Sequence, residues 1–127
     1  MKFERRDPPR RFEVNGVSQH DCGTARLSPG EQITFATEAG GEYDVARKDW
    51  GFYATPSLNG RLGRFGLRPL LARNGMGKFF VLLLERGRDD ELAAYLREQD
   101  MQLVCWLDDE ATLQSIAGST TQAAAKR

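Results

Sequence analysis

One histidine and two cysteines in 127 residues leave little material for metal chemistry. His20, Cys22 and Cys105 make no Cys-x-x-Cys pair and no His-x-x-x-His pair, the spacings by which a short segment holds zinc. No metal and no other cofactor is expected. Long apolar runs are also missing. The longest, Phe79 to Leu84, is far short of the ~20 residues a membrane helix needs, so no membrane partner is expected. The segment "MKFERRDPPRR" has no apolar stretch of the secretory kind, which predicts a cytoplasmic protein with free thiols.

Nucleotide and nucleophile signatures are missing too. "GRLGRFG" has glycines but no Gly-Lys-Ser/Thr step, and there is no Gly-x-Ser-x-Gly. Ser57 has no base near it in sequence. His20 and Cys22 stand close in "QHDCG", but nearness along the chain does not make a dyad, and both read as loop residues. Cys105, in "LVCWL", reads as a small buried hydrophobe. The pairs Asp89-Asp90 and Asp108-Asp109 fit a helix start and a strand exit better than two carboxylates converging on one pocket. No catalytic residue is assigned, and a binding role is expected rather than a catalytic one.

Lysines and arginines number 18 and so do aspartates and glutamates, a balance that argues against nucleic acid as partner. The distribution is uneven. From Trp50 to Leu84 there is no acid, while Arg61, Arg64, Arg68, Arg73 and Lys78 all fall there.

Length and punctuation predict an α+β fold: a mostly antiparallel sheet of five to seven short strands, with two hairpins and one covering helix, as a small two-layer or roll-like domain. Residues 1–11 read as a flexible basic arm, 12–110 as a single domain, and 111–127 as a C-terminal tail that frays from about Gly118. "NGVSQHDCG" reads as turns. "QITFAT" and "EYDVAR" alternate around Gly40-Gly41 as a hairpin, with Tyr43 and Val45 on the apolar face and Asp44 and Ala46 on the polar one. "LRPLLAR" and "FFVLLLE" form a second hairpin around "NGMGK". The unbroken apolar run of the return strand predicts a central strand buried on both faces, whereas Pro69 restricts its own strand to an edge or to a bulge near its beginning. Asp89 to Gln99 is the one clear helix, with Leu92, Tyr95 and Leu96 on one face. "MQLVCWLDD" reads as a final strand; strand, helix, strand allows a parallel crossover or a helix laid on an antiparallel sheet.

The stretch "LSPGEQITFATEAGGEYDV" resembles the turn-and-strand rhythm of small cupin-like barrels. That resemblance implies a barrel, and a small enzyme of cupin-like shape without a metal site is one alternative reading, since the histidines by which cupins hold metal are missing.

The segment 48–73 is the expected recognition surface. Trp50 and Tyr53 offer flat rings. Ser57 and Asn59 offer neutral hydrogen-bonding groups and, on an extended chain, share a face with Arg61 next along it. Arg61, Arg64 and Arg68 offer planar forks suited to carboxylate or phosphate. The expected partner is a small anionic or sugar-phosphate ligand. "KDWGFYATPSLNGRL" resembles text in small bacterial proteins encoded near surface-polysaccharide genes, which implies an accessory role in surface-polysaccharide metabolism. The alternative is an interaction module or homodimer using the same segment, because Trp, Tyr and Arg are enriched at interface hot spots.

Overall fold

The fold, given by a computed structural model, describes residues 1–125, with side chains through Ser119. It is α+β and built mostly from antiparallel pairs. Among the described residues there are eight strands in three small sheets, and three helices, rather than one sheet and one helix. None of these helices is long and apolar enough to cross a membrane. The chain divides into two units where one domain was expected over 12–110. The first holds Met1–Thr34 and Asp44–Thr55; the second holds Phe35–Tyr43 and the chain from Pro56 onward.

In the first unit, β1 (Lys2–Val14) and β2 (Val17–Arg26) form a two-stranded antiparallel ribbon. Residues 1–11 are therefore a paired strand, not a flexible arm. "NGVSQHDCG" is a strand as well, except for Asn15-Gly16, whose positive φ angles of 48° and 81° make the reversal. The register shifts between Arg5 and Arg10, so Pro8 and Pro9 fall in the irregular stretch where no ladder hydrogen bond is required of them. Charges that had suggested solvent pair across the ribbon instead: Glu4 with Arg26, and Asp21 with Arg6 at 2.9 Å.

Asp21 gives this ribbon a pH dependence. Partial burial pushes its carboxyl up, but the Gly23 N–H and the guanidiniums of Arg6 and Arg10 outweigh that and hold it below the ordinary aspartate range. A carboxyl depressed in the folded state contributes stability that is fully present above its unfolded pKa, about 3.9, and is lost as pH falls through the lower folded value. The protection of β1 and β2 amides, taken as their exchange relative to an unfolded chain at the same pH, is expected to fall on acidification below about pH 4. Asp21→Asn should remove that response while leaving the other carboxylates titrating; an unchanged profile in the variant would show that Asp21 is not its source.

The strands β3 (Gln32–Ala36), β4 (Glu42–Lys48) and β5 (Gly51–Ala54) form a three-stranded sheet in that order. Among the described residues the strands read as a cupin-like rhythm pair only as this short meander. The faces of β4 are also reversed: Asp44 and Ala46 are buried, and Tyr43 and Val45 are half-buried. Asp44 tolerates burial because Thr34 donates to its carboxylate at 2.6 Å.

In the second unit, β6 (Leu67–Asn74) lies between β7 (Phe79–Glu85) and β8 (Met101–Trp106), antiparallel to both. β7 and β8 thus run parallel to each other on either side of β6, joined through α2 (Asp89–Glu98). Leu92 and Leu96 of α2 pack with Leu70, Ala72, Leu82 and Leu84 to make the core, and Met101 and Trp106 join it. One expectation is corrected and another narrowed. The strand with the unbroken apolar run is an edge strand, and of the two places expected for Pro69 the edge is excluded: its strand is central, with Pro69 near the beginning and the ladder to β8 irregular just beyond it. Pro69 is tolerated because its side of β6 meets β8 only at the ladder's end, where its carbonyl accepts from the Leu107 N–H at 2.9 Å and no N–H is needed in return. The alternation of β8 is broken by a register shift between Leu71 and Ala72, which leaves Val104 exposed and Cys105 half-buried.

The expected tail is α3 (Glu110–Ala125). Asp109 starts it, accepting from the Thr112 N–H at 3.0 Å and from its hydroxyl at 2.8 Å, as an N-cap does. Residues 126 and 127, the end of that tail, lie outside the described residues.

Candidate ligand-binding site

A short turn sets up the site. Ser57 is not extended: its hydroxyl accepts from the Arg61 N–H at 2.8 Å, and its carbonyl accepts from the Leu62 N–H at 3.1 Å. Ser57, Asn59 and Arg61 therefore do not line one strand face. Gly60 completes the turn because a Cβ there would lie 2.6 Å from Ser57 Oγ. The turn opens into α1 (Arg61–Arg64), a single helical turn pinned by fully buried Leu62. Asn59 braces it from outside by donating to Glu110 Oε1 at 2.6 Å. Gly66, with φ of 81°, then turns the chain into β6.

Three segments distant in sequence meet at this turn. The Glu42 N–H donates to the Phe65 carbonyl at 3.2 Å, and the Arg86 N–H to the Gly66 carbonyl at 2.9 Å. Arg86 also reaches back with its guanidinium to the Gly63 carbonyl at 2.7 Å, satisfying a carbonyl at the end of α1 as cations near helix C-termini do. Between these segments lies an open hollow of about 340 Å³. It is lined by Arg64 and Arg86 as cations, Glu85 as the one acid, Phe65, Gly66, and the loop of Ala39, Gly40 and Gly41. Thr37 donates to Glu85 at 2.6 Å and its oxygen accepts from the Gly41 N–H at 3.0 Å, which fixes both the acid and the glycine loop. Gly41 leaves little spare room, since a Cβ on it would sit 3.1 Å from Leu67. Arg64 is exposed and lines the hollow, and no side-chain hydrogen bond or ion pair to another described residue is found for it.

A second hollow of about 210 Å³ shares Gly66 and Arg86 with the first. Here Arg68 is committed. Its guanidinium lies 3.7 Å from the centre of the Trp106 ring, and its Nε donates to Asp108 at 2.9 Å. The charges of this hollow, Arg68 and Arg86 against Asp89 and Asp108, balance.

The seven residues singled out from sequence thus have separate fates. Arg64 lines the first hollow and Arg68 the second. Arg61 lies over the Phe65 ring at 5.2 Å. Ser57 and Asn59 hold the turn. Trp50 and Tyr53 belong to the first unit, where Trp50 occupies the two-residue turn between β4 and β5 with 72% of its surface exposed. Arg86, Glu85, Phe65 and the glycine loop at Gly40-Gly41 were not singled out. Gly40-Gly41 does signal a turn in the sequence, but a turn signal alone does not mark the wall of a hollow.

Among the described residues no group of three His, Cys, Asp or Glu side chains stands close enough to hold a metal ion. The Cys22 thiol contacts the His20 carbonyl, not its imidazole. No protein family, curated protein or solved structure matches the chain.

Proposed function

We propose that this protein binds a small anionic ligand of the phosphorylated-sugar class in the hollow between Arg64 and Arg86. One observation carries the reading: two arginines, Arg64 and Arg86, line one concavity together with Gly66 and the loop of Ala39, Gly40 and Gly41. Guanidiniums suit a phosphate because their forked N–H groups match its oxygens. At Gly40, where a Cβ would meet nothing within 4 Å, the backbone lets a bulky anion approach closely. The volume is at the small end of the range for small-molecule sites. Glu85, already oriented by Thr37, is placed to accept from sugar hydroxyls, and Phe65 supplies an apolar surface. The ligand is recognised and not transformed in this reading, in keeping with the sequence, which offers no assembled nucleophile and base. An accessory part in surface-polysaccharide metabolism would follow from such a ligand.

The test is thermal. A hexose phosphate or sugar nucleotide at a hundred times its Kd should stabilise the protein by about 2.7 kcal/mol through mass action. Arg64→Ala should abolish the rise in melting temperature without lowering the starting value, because Arg64 holds nothing else in place. Arg86→Ala should abolish it too, but with some loss of basal stability as the Gly63 carbonyl loses its donor. The matching unphosphorylated sugar should produce no rise. A rise that survives Arg64→Ala, or none from any anionic sugar, refutes the site.

A further inference from the structure

The edge strand β7 has the composition of an interior strand. Phe79 to Leu84 carries no charge and no polar side chain, the pattern of a strand covered on both faces. Yet Phe79 is 57% exposed, Phe80 42% and Val81 60%, on consecutive positions and hence on both faces. Edge strands are ordinarily blunted by a charge, a proline or a bulge, and the pairing of β7 with β6 runs from Phe79 to Glu85 without any of these until Glu85 itself.

The backbone shows what would fit there. The Asn74 N–H donates to the Lys78 carbonyl, and the Arg86 N–H to the Gly66 carbonyl. These bonds bracket β7 and fix its parity: even-numbered residues turn their peptide groups to β6, and Phe79, Val81, Leu83 and Glu85 turn theirs outward. A two-fold axis normal to the sheet pairs residues of equal parity. Centred on Val81, it sets Val81 against Val81, Phe79 against Leu83 and Phe80 against Leu82, every pair apolar. Centred on Leu82, it sets Lys78 against Arg86, and like charges directly opposite are destabilising.

We infer that this protein forms a two-fold homodimer in which β7 pairs antiparallel with β7 of a second copy, in the register centred on Val81, closing a continuous six-stranded sheet. The self-complementarity of that register points to a second copy rather than an unrelated strand, and two-fold closure removes the open edge of both chains at once. The register argument uses Phe79 to Leu83, of which none lines the hollow at Arg64, although Glu85 at the end of the same strand does; the dimer is therefore tested apart from the proposed ligand.

Light scattering on a sizing column should give twice the 14.3 kDa chain mass at high concentration. Amide exchange then identifies the surface. The N–H groups of Phe79, Val81 and Leu83 should slow by ~10-fold or more from dilute to concentrated protein, while those of Phe80 and Leu82, bonded to β6, stay constant. Val81→Lys places two ammoniums on the axis and should yield a monomer with an unchanged circular dichroism spectrum; Val81→Thr should stay dimeric. If Val81→Lys does not fold, the wild-type exchange pattern decides alone. A monomer at ~0.1 mM overturns the inference, as does a dimer in which those three amides do not respond to concentration.

Discussion

Leu70→Ala is expected to destabilise the second unit by about 3–5 kcal/mol. Leu70 is fully buried at the middle of the central strand, opposite Leu82 on one side and Trp106 on the other. Leu92 and Leu96 belong to the same cluster, so the void left by the missing carbons is walled by strand and helix together. A wall anchored in three strands relaxes poorly, which puts the cost toward the upper end of the range for such truncations. The fully buried apolar residues of this cluster are few, so one of them is a large share of a total that for a small domain is only about 5–15 kcal/mol. Urea unfolding measures it: the midpoint should fall sharply at unchanged slope. Leu71→Ala, at a half-buried neighbour on the opposite face, should cost clearly less. Equal losses for the two would mean that the core has been placed on the wrong side of the sheet.

Gly23→Val is expected to unpair the ribbon of the first unit, at a cost of about 3 kcal/mol or more. A Cβ at Gly23 would lie 2.5 Å from the Glu4 carbonyl oxygen and 2.8 Å from the tip of the Phe3 ring. The ring can swing away; the carbonyl belongs to the partner strand's backbone and cannot move without breaking the ladder. The backbone itself, with φ of 155°, is one that side chains rarely adopt. A two-stranded ribbon has little reserve, since such hairpins are marginal by themselves in water. Exchange of the β1 amides should approach that of an unfolded chain in the variant, whereas β6 and β8 should keep their protection. Gly16→Ala, where a Cβ meets nothing within 4 Å, separates the effect of φ from that of crowding.

What could be read from the sequence was local. The hairpin around "NGMGK", the helix at Asp89 and the turn at Gly40-Gly41 all formed, because turn chemistry acts within a few residues, but the alternation of β4 pointed to the wrong face. Strand order could not be read. The apolar run of β7 does mean that two faces want cover, but a sequence does not say whether the cover comes from its own chain. Pro69 excludes an N–H, not a central position, and only the end of the β8 ladder shows why it is harmless. The ribbon was missed for a different reason. Its arginines and acids neutralise one another between strands, and only the register shows that Asp21 stands beside Arg6 and Arg10. The hollow was half visible. The acid-free stretch led to Arg64, but that stretch ends at Leu84, and Arg86 enters only because the pairing of β6 with β7 carries it back beside Gly66.

The proline in the middle strand has a mechanical consequence. A sheet whose strands are mostly apolar can creep, one strand sliding past its neighbour in two-residue steps that preserve inside and outside. A two-residue slip of β8 along β6 would carry a further inner carbonyl of β8 opposite the Pro69 ring nitrogen, which has nothing to donate, so that register is disfavoured. The same slip would take Trp106 away from Arg68, whose guanidinium lies 3.7 Å from the centre of its ring.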